Sequence, residues 1–332
     1  VFYILLAGFA GLRKWYHDTE TYRYAYEAMN CSPAYWKTVK FDLGSNFGFG
    51  IINAWLKTGG VTSQNFLMFW ALIVVGLHLF FLHKYSANYA LSVFLLFTTG
   101  TFLFMCAAIK QTAAVAIGLL AIHFFIKKQY AVYVLLVFLA STIHPYALMF
   151  LSVPFFTYKP WTKKTYFFII IFVASGLALQ PLMGTIINIT TMIGEEYTVA
   201  EFSGAGINIF RVIVCNVPLF LSFMYRKQMF SDSSRKENLF MNLSMLNGAI
   251  MFVGLFGTAN YFARLANYFL IFQALVLPWM VSKIQTRDRE IITTVMVLCY
   301  IAYFYYENVI NQPFDQNFMR LRVVEYLAQL GG

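Results

Sequence analysis

Runs of about 20 mostly apolar residues recur along this chain, and they constrain its fold more than any other feature. A helix needs about 20 such residues to cross the hydrocarbon core of a membrane. The sequence therefore predicts an all-α, polytopic integral membrane protein. The runs lie at residues 64–82, 88–106, 107–126, 164–182, 207–225, 239–257, 262–282 and 290–306.

Two further segments bring the predicted number of transmembrane helices to about 11. Residues 130–158 are too long for one helix, and the His144–Pro145 step divides them into 130–143 and 145–158. The division follows because a residue before proline is disfavoured in helical geometry. The opening run, residues 1–12, covers only about 18 Å of helix rise, so we interpret it as a truncated first span.

The segments between the runs give the expected domain organisation. We predict a single transmembrane domain over residues 1–332, with two large segments on the outer face. Residues 13–63 form the first and contain two aromatic stretches, 17–29 and 46–57, that predict amphipathic helices. Residues 183–206 form the second outer-face loop, which has three glutamates and no basic residue.

The composition excludes the alternative classes of protein. Only 11% of the residues are charged and 60% are hydrophobic, whereas a soluble domain has about 25% charged residues. The net charge of +10 would indicate nucleic-acid binding in a soluble chain. In a membrane protein such an excess indicates basic cytoplasmic loops, so no nucleic-acid partner is expected.

The distribution of charge over the loops orients the chain. One set of alternating loops carries 13 basic and four acidic residues, and the opposite set carries eight basic and ten acidic residues. Cytoplasmic loops are enriched in lysine and arginine. The first set is therefore assigned to the cytoplasm.

Three basic residues fall inside predicted spans: Lys110, Arg211 and Arg264. A cation at mid-bilayer costs about 2.5–3.5 kcal/mol on insertion scales, which makes such residues functional candidates. With Arg13 and His144 they lie at the outer boundary of the membrane. The alternative is snorkelling, in which long basic side chains near helix ends reach the headgroups. A cluster facing a protein cavity would instead bind a phosphate or pyrophosphate group of a lipid-linked substrate.

Neighbouring residues favour the cavity. Gln111 follows Lys110, and small residues continue at helical spacing, which indicates a packed face. Arg264 is expected to share a polar face with Asn260, Asn267 and Tyr268, at spacings of three and four residues.

Acidic residues on the same side supply candidates for a general base. Asp18 either accepts a proton from a sugar hydroxyl or caps the helix that follows it. Glu196, next to Glu195, is the rival base, although a solvated loop is the simpler interpretation of that pair. Tyr22 belongs to an aromatic set that forms either an interfacial belt or a sugar-stacking surface. No metal-ligand spacing is present, and no cofactor is expected.

Four short blocks resemble the EpsG-like branch of the Wzy-type polysaccharide polymerases. One is Gly11-Leu12-Arg13 followed by His17-Asp18-Thr19 and Tyr22, and another is Ile109-Lys110-Gln111. The others are Ile143-His144-Pro145 and Arg264-Leu265-Ala266-Asn267-Tyr268-Phe269. The blocks occur in the family's order over most of the chain. Two departures are Lys110, where the family usually has arginine, and the truncated first span; Arg211 lies outside these blocks.

The resemblance implies a bacterial glycosyltransferase of GT-C-like architecture in the cytoplasmic membrane, with its active site on the outer face. Such an enzyme joins undecaprenyl-pyrophosphate-linked oligosaccharide repeats into capsular or exopolysaccharide. It implies Asp18, His144 and Arg264 as catalytic residues. The same resemblance makes a flippase and a chain-length regulator of one pathway possible partners, besides membrane lipid. The substrate-binding candidates are Arg13, Lys110, Gln111, Arg211, Tyr22, Tyr268 and Glu196.

Three other functions remain open from the residues alone. A flippase or other transporter of lipid-linked sugar would place its cations along a path through the membrane. A polysaccharide ligase shares the chemistry of the polymerase. A membrane acyltransferase would need a histidine on the cytoplasmic side, whereas His144 is predicted outside.

Overall fold

The computed structural model describes residues 2–14, 16–192, 206–257, 259–284 and 286–311, which form helices and turns without a strand. The chain divides into two compact units. The first unit comprises the described residues of Val1–Phe81, Phe102–Leu148 and Glu307–Gly332, and the second those of Leu82–Thr101 and Met149–Tyr306. The predicted all-α class is confirmed for the described residues.

The first half of the chain forms nine α-helices, α1 to α9, among its described residues. The stretches 17–29 and 46–57 are helical as predicted. The run at 88–106 is broken at Gly100, whose φ of 81° is left-handed. The helices are α1 (Phe2–Gly11), α2 (Thr19–Ala28), α3 (Pro33–Thr38), α4 (Phe47–Thr58), α5 (Ser63–Tyr85), α6 (Tyr89–Thr98), α7 (Thr101–Ala107), α8 (Ile109–Ile126) and α9 (Tyr130–Ile143).

The break at His144–Pro145 is confirmed. Helix α9 ends at Ile143, and His144 is extended, with φ −151° and ψ 120°. Pro145–Phe156 then forms a 3-10 helix. The local cause is the clash of the proline ring with the residue before it.

The second half breaks two runs that the sequence predicts as single spans. The run at 164–182 becomes α10 and α11, and the run at 262–282 becomes α15 and α16. Helix α11 extends to Met192, into the segment assigned to the second outer loop. The described helices are α10 (Lys163–Leu177), α11 (Leu179–Met192), α12 (Ile209–Met224), α13 (Arg226–Met229), α14 (Arg235–Val253), α15 (Ala259–Ala266), α16 (Ile271–Lys283) and α17 (Thr286–Tyr305), followed by a π-helical turn (Tyr306–Asn311).

The lengths of the helices bear on the number of spans. Among the described residues, α5 and α8 are long and apolar enough to cross a membrane, and α6 with α7 would make a third span if counted together. Other apolar helices have 10–17 residues. The count of 11 spans, the GT-C-like architecture and the single transmembrane domain therefore stay predictions.

Large apolar side chains on several helices are exposed. Leu135 on α9, Ile170 on α10 and Leu298 on α17 are 67%, 66% and 60% exposed. Exposed large apolar side chains recur along α1, α9, α10, α12 and α17. Exposed leucine and isoleucine along the helices are typical of surfaces that face lipid.

Candidate functional site

Arg13 lies just after α1 and is buried in the first unit, with 2% of its surface exposed. Its Nε donates to Thr19 Oγ1 at 3.0 Å, and one terminal nitrogen donates to the carbonyl of Ala10. The other terminal nitrogen is buried and has no hydrogen-bond partner. Burial lowers the pKa of Arg13, while the nearby Cys106 and Tyr22 act in the opposite direction. Arginine stays charged under such conditions because its ordinary pKa exceeds 12.

Thr19 connects this arginine to the rest of the first unit. Its side chain is fully buried, and its Oγ1 lies 2.7 Å from the carbonyl oxygen of Tyr16 and 3.3 Å from that of Cys106. The contact with Cys106 places the start of α2 beside the junction of α7 and α8. Lys110 and Gln111, in the first turn of α8, follow that junction.

Asp18 immediately precedes α2 and is exposed at its N-terminal end. Its side chain makes no capping hydrogen bond to the helix. Asp18 is therefore the N-cap residue by position, without a capping hydrogen bond from its side chain. A carboxylate at this end also interacts favourably with the helix dipole. The position leaves Asp18 at the surface, next to the buried Thr19.

Lys110 is half-buried, and Gln111 is buried with 3% exposure. A cation in the first turn of a helix faces the positive end of the helix dipole, which is electrostatically unfavourable. The positive end of α8 and the charge of Lys110 together favour a nearby anion, because both attract it.

Helix α4 contacts both Tyr22 and the end of α9, which His144 follows. The Tyr22 ring lies 6.0 Å from the Phe49 ring on α4, in an edge-to-face arrangement. Gly48, the preceding residue, packs so closely on Thr142 that an added Cβ would overlap the Thr142 hydroxyl. His144 follows two residues later and is half-buried, with its ring 5.5 Å from that of Tyr146. The first unit thus contains Arg13, Asp18, Tyr22, Lys110, Gln111 and His144 on segments that pack on one another.

Two side chains that hold this region were not candidates from the sequence. Gln64 is 4% exposed and donates from Nε2 to the carbonyl of Gly11 at 2.6 Å, which ties α1 to α5. Thr19 is the second. The sequence shows that Thr19 directly follows Asp18 at the start of an amphipathic stretch. Nothing in the local sequence indicates that the Thr19 hydroxyl faces Arg13.

The second unit contains the other predicted cations. Arg211 is half-buried near the start of α12 and hydrogen-bonds the side chain of Tyr303 on α17. Its side chain therefore contacts protein, which simple snorkelling into headgroups does not explain. Arg264 lies on α15 and is exposed.

The polar face predicted for Arg264 is not continuous. Helix α15 ends at Ala266, and residues 267–270 form turns before α16 begins. Tyr268 lies in these turns, fully buried, with its ring 5.7 Å from that of Phe150. The expectation that Arg264 and Tyr268 share one helical face is wrong, because the spacing of four residues applies only within a continuous helix.

The predicted site residues therefore belong to two units. Arg13 and Lys110 lie in the first, and Arg211 and Arg264 in the second, so their convergence on one cavity stays a prediction. Glu196 lies outside the described residues. The described residues contain no group of three or more His, Cys, Asp or Glu side chains placed to hold a metal ion.

Comparison with known proteins identifies the family. The model of the EpsG family matches residues 1–322 of the 332-residue chain, in agreement with the resemblance seen in the four blocks. No curated protein and no solved structure gives a significant match. The described residues are helical, and apolar side chains are exposed along their helices, as in a membrane protein. The chain belongs to the EpsG family.

Proposed function

We propose that this protein is a Wzy-type polysaccharide polymerase. It would join undecaprenyl-pyrophosphate-linked oligosaccharide repeats into capsular or exopolysaccharide at the outer face of the bacterial cytoplasmic membrane. The observation that carries the proposal is the family match over nearly the whole chain. The packing of the Asp18, Lys110 and His144 segments within the first unit supports it, because these are the segments to which the resemblance assigns the chemistry.

The reaction transfers a glycosyl group. The non-reducing hydroxyl of one repeat attacks the anomeric carbon of another, and a new carbon–oxygen bond forms there. The bond from the anomeric carbon to the pyrophosphate oxygen breaks, and its electron pair leaves with undecaprenyl pyrophosphate. Asp18 or His144 accepts the hydroxyl proton.

The leaving group accumulates negative charge as the bond breaks, and cations must stabilise it. Lys110 has a geometry suited to this role, because it combines its own charge with the N-terminus of α8. Arg211 and Arg264 are the further candidates. Arg13 differs from them, because it is sealed inside the first unit; we assign it to holding Thr19 and the loop that presents Asp18.

The side of the membrane follows from the loop charges. Under the positive-inside rule, the α7–α8 junction and the His144 turn lie on the outer side. A flippase and a chain-length regulator of the same pathway are the partners expected for a polymerase.

The test uses the purified full chain with a defined lipid-pyrophosphate-linked oligosaccharide, and products are separated by size. We expect a ladder of polymers from the wild type and none from Lys110→Ala. The control Lys84→Ala removes a lysine from the last turn of α5 and should leave the ladder intact. A normal ladder from Lys110→Ala would contradict the assigned role of that lysine.

Other products would identify the rival functions. Movement of the lipid-linked substrate across a vesicle membrane without a ladder would favour a flippase. Transfer of one preformed polymer to a different acceptor would favour a ligase.

A further inference from the structure

The second unit contains an apolar groove that the proposed reaction does not use. Three helices wall it, α10, α12 and α14, and its volume is about 360 Å³. That volume lies within the range of ligand sites, roughly 300–1,000 Å³. Most of its lining is aliphatic or aromatic, and five phenylalanines contribute: Phe156, Phe168, Phe172, Phe220 and Phe252.

The length of the groove matches one leaflet of a membrane. The lining residues run from Thr165 to Val173 on α10 and from Asn242 to Phe252 on α14. At 1.5 Å per residue these stretches are about 12 Å and about 15 Å long. Half of a hydrocarbon core of about 30 Å is about 15 Å. The groove therefore has the depth that the acyl chains of one leaflet occupy.

One end of the groove is polar and fixed. Asn242, with 2% exposure, donates from Nδ2 to the carbonyl oxygens of Phe156 and Tyr158, at 2.8 and 2.7 Å. Its Oδ1 is buried without a hydrogen-bond partner. Asn242 and Tyr158 both line the groove, so these hydrogen bonds hold this end of the groove in place.

The same end carries positive charge. The Lys164 ammonium lies over the Tyr158 ring, 5.9 Å from its centroid, and Lys163 precedes it at the start of α10. Both lysines are exposed. Residues 43–194 contain no aspartate and no glutamate. A ligand with an anionic head and an apolar chain complements this arrangement.

We propose that the groove binds one acyl chain of an anionic phospholipid, with the headgroup phosphate held by Lys163 and Lys164. Basic pockets between transmembrane helices recognise anionic headgroups in this way. The site is separate from the proposed reaction, because the loop charges place these lysines on the cytoplasmic side and the pyrophosphate chemistry on the outer side.

The experiment measures lipid retained by the purified full chain. Protein in a mild detergent is mixed with phosphatidylglycerol or phosphatidylcholine, and bound lipid is counted by native mass spectrometry. We expect retention of phosphatidylglycerol in preference to phosphatidylcholine. The Lys163→Gln/Lys164→Gln variant should bind phosphatidylglycerol about 30-fold more weakly at low salt, from the typical contribution of two lysines.

Matched variants separate the groove from general surface charge. Lys127→Gln/Lys128→Gln removes two lysines from the α8–α9 turn, in the first unit, and should leave retention unchanged. Ala249→Phe fills the groove without a change of charge and should abolish retention. Ala174→Phe adds the same ring at an exposed position of α10 outside the lining and should have no effect.

Three outcomes would overturn the proposal. They are equal retention of phosphatidylcholine, an equal loss in the Lys127→Gln/Lys128→Gln variant, and recovery of a polyprenyl phosphate in place of phospholipid. If Ala249→Phe does not fold, the lysine variants still decide, because they alter only exposed side chains.

Discussion

The Nε of Arg13 donates a hydrogen bond to Thr19 Oγ1 at 3.0 Å, and neither side chain is more than 2% exposed. A buried charge is tolerated only when hydrogen bonds compensate its lost hydration. Thr19 supplies one of these bonds, and it is the first residue of the helix that carries Tyr22, directly after Asp18. The charge of Arg13 and the position of the loop are therefore coupled.

The first prediction concerns Thr19. In Thr19→Val the Arg13 Nε loses its acceptor, and we expect the free energy of unfolding to fall by about 1.5–3 kcal/mol, the range for hydrogen bonds to charged groups. Thr19→Ser keeps the hydroxyl and should retain most of the stability. Thermal unfolding in detergent measures both. Equal stability of the valine and serine variants would show that the hydrogen bond contributes nothing.

The second prediction concerns Asp18 as the proton acceptor. Asp18→Asn should reduce the rate of polymer formation by about 10²–10⁴-fold, the usual contribution of general acid–base catalysis. Its matched control is Glu20→Gln, which removes an exposed carboxylate from the first turn of α2. Initial rates on the defined oligosaccharide give the comparison. A rate for Asp18→Asn within a few-fold of the control would leave His144 as the candidate base.

The third prediction concerns the contact of α4 with α9. Gly48→Ala places a methyl group against Thr142, and such overpacking costs about 1–3 kcal/mol. Thr142→Ala in the same chain should recover part of the loss. Gly8→Ala is the control, because open space surrounds that position and alanine is favoured over glycine in a helix by about 1 kcal/mol. Similar unfolding temperatures for both glycine variants would rule out the close packing.

The fourth prediction concerns pH. Lys283 lies 3.3 Å from Asp232, and its hydrogen bond and charge lower the pKa of that carboxyl group. A lowered pKa in the folded state means that the pair stabilises the protein above the ordinary pKa of aspartate, about 3.9, and that this stabilisation disappears as the pH falls through the folded-state value.

The measurement is the unfolding temperature of the wild type and of Asp232→Asn from pH 7 to pH 3. The wild type should have a small advantage at neutral pH, because the pair is exposed to solvent, and this advantage should shrink toward the acidic end. A difference that does not change with pH would exclude the ion pair as its source.

Local rules predicted local events correctly. The His144–Pro145 step ended α9 at Ile143 because the proline ring acts on the residue directly before it. The amphipathic stretches became α2 and α4, since their apolar residues recur at the spacing of a helical face. Neither result depends on distant parts of the chain.

The run at 262–282 shows where such rules stop. Its apolar residues continue across the turns at 267–270, so composition alone does not reveal the break. Tyr268 is buried there against Phe150, a residue more than 100 positions earlier. Burial of an aromatic ring against residues far away in the sequence can outweigh the continuity of a helix. The residues around 267–270 do not reveal that such a partner exists.

By itself, the sequence determined the membrane class, the helical content and the few charged residues that fall inside predicted spans. These follow from the length of each apolar run and from the sum of charges over the loops, which need no tertiary structure. The tertiary structure decided which of those charges are exposed and which are sealed. Arg13 and Arg264 look alike as arginines at helix ends, yet one is buried on Thr19 and the other is exposed. That difference arises from contacts between segments far apart in the chain, which only packing specifies.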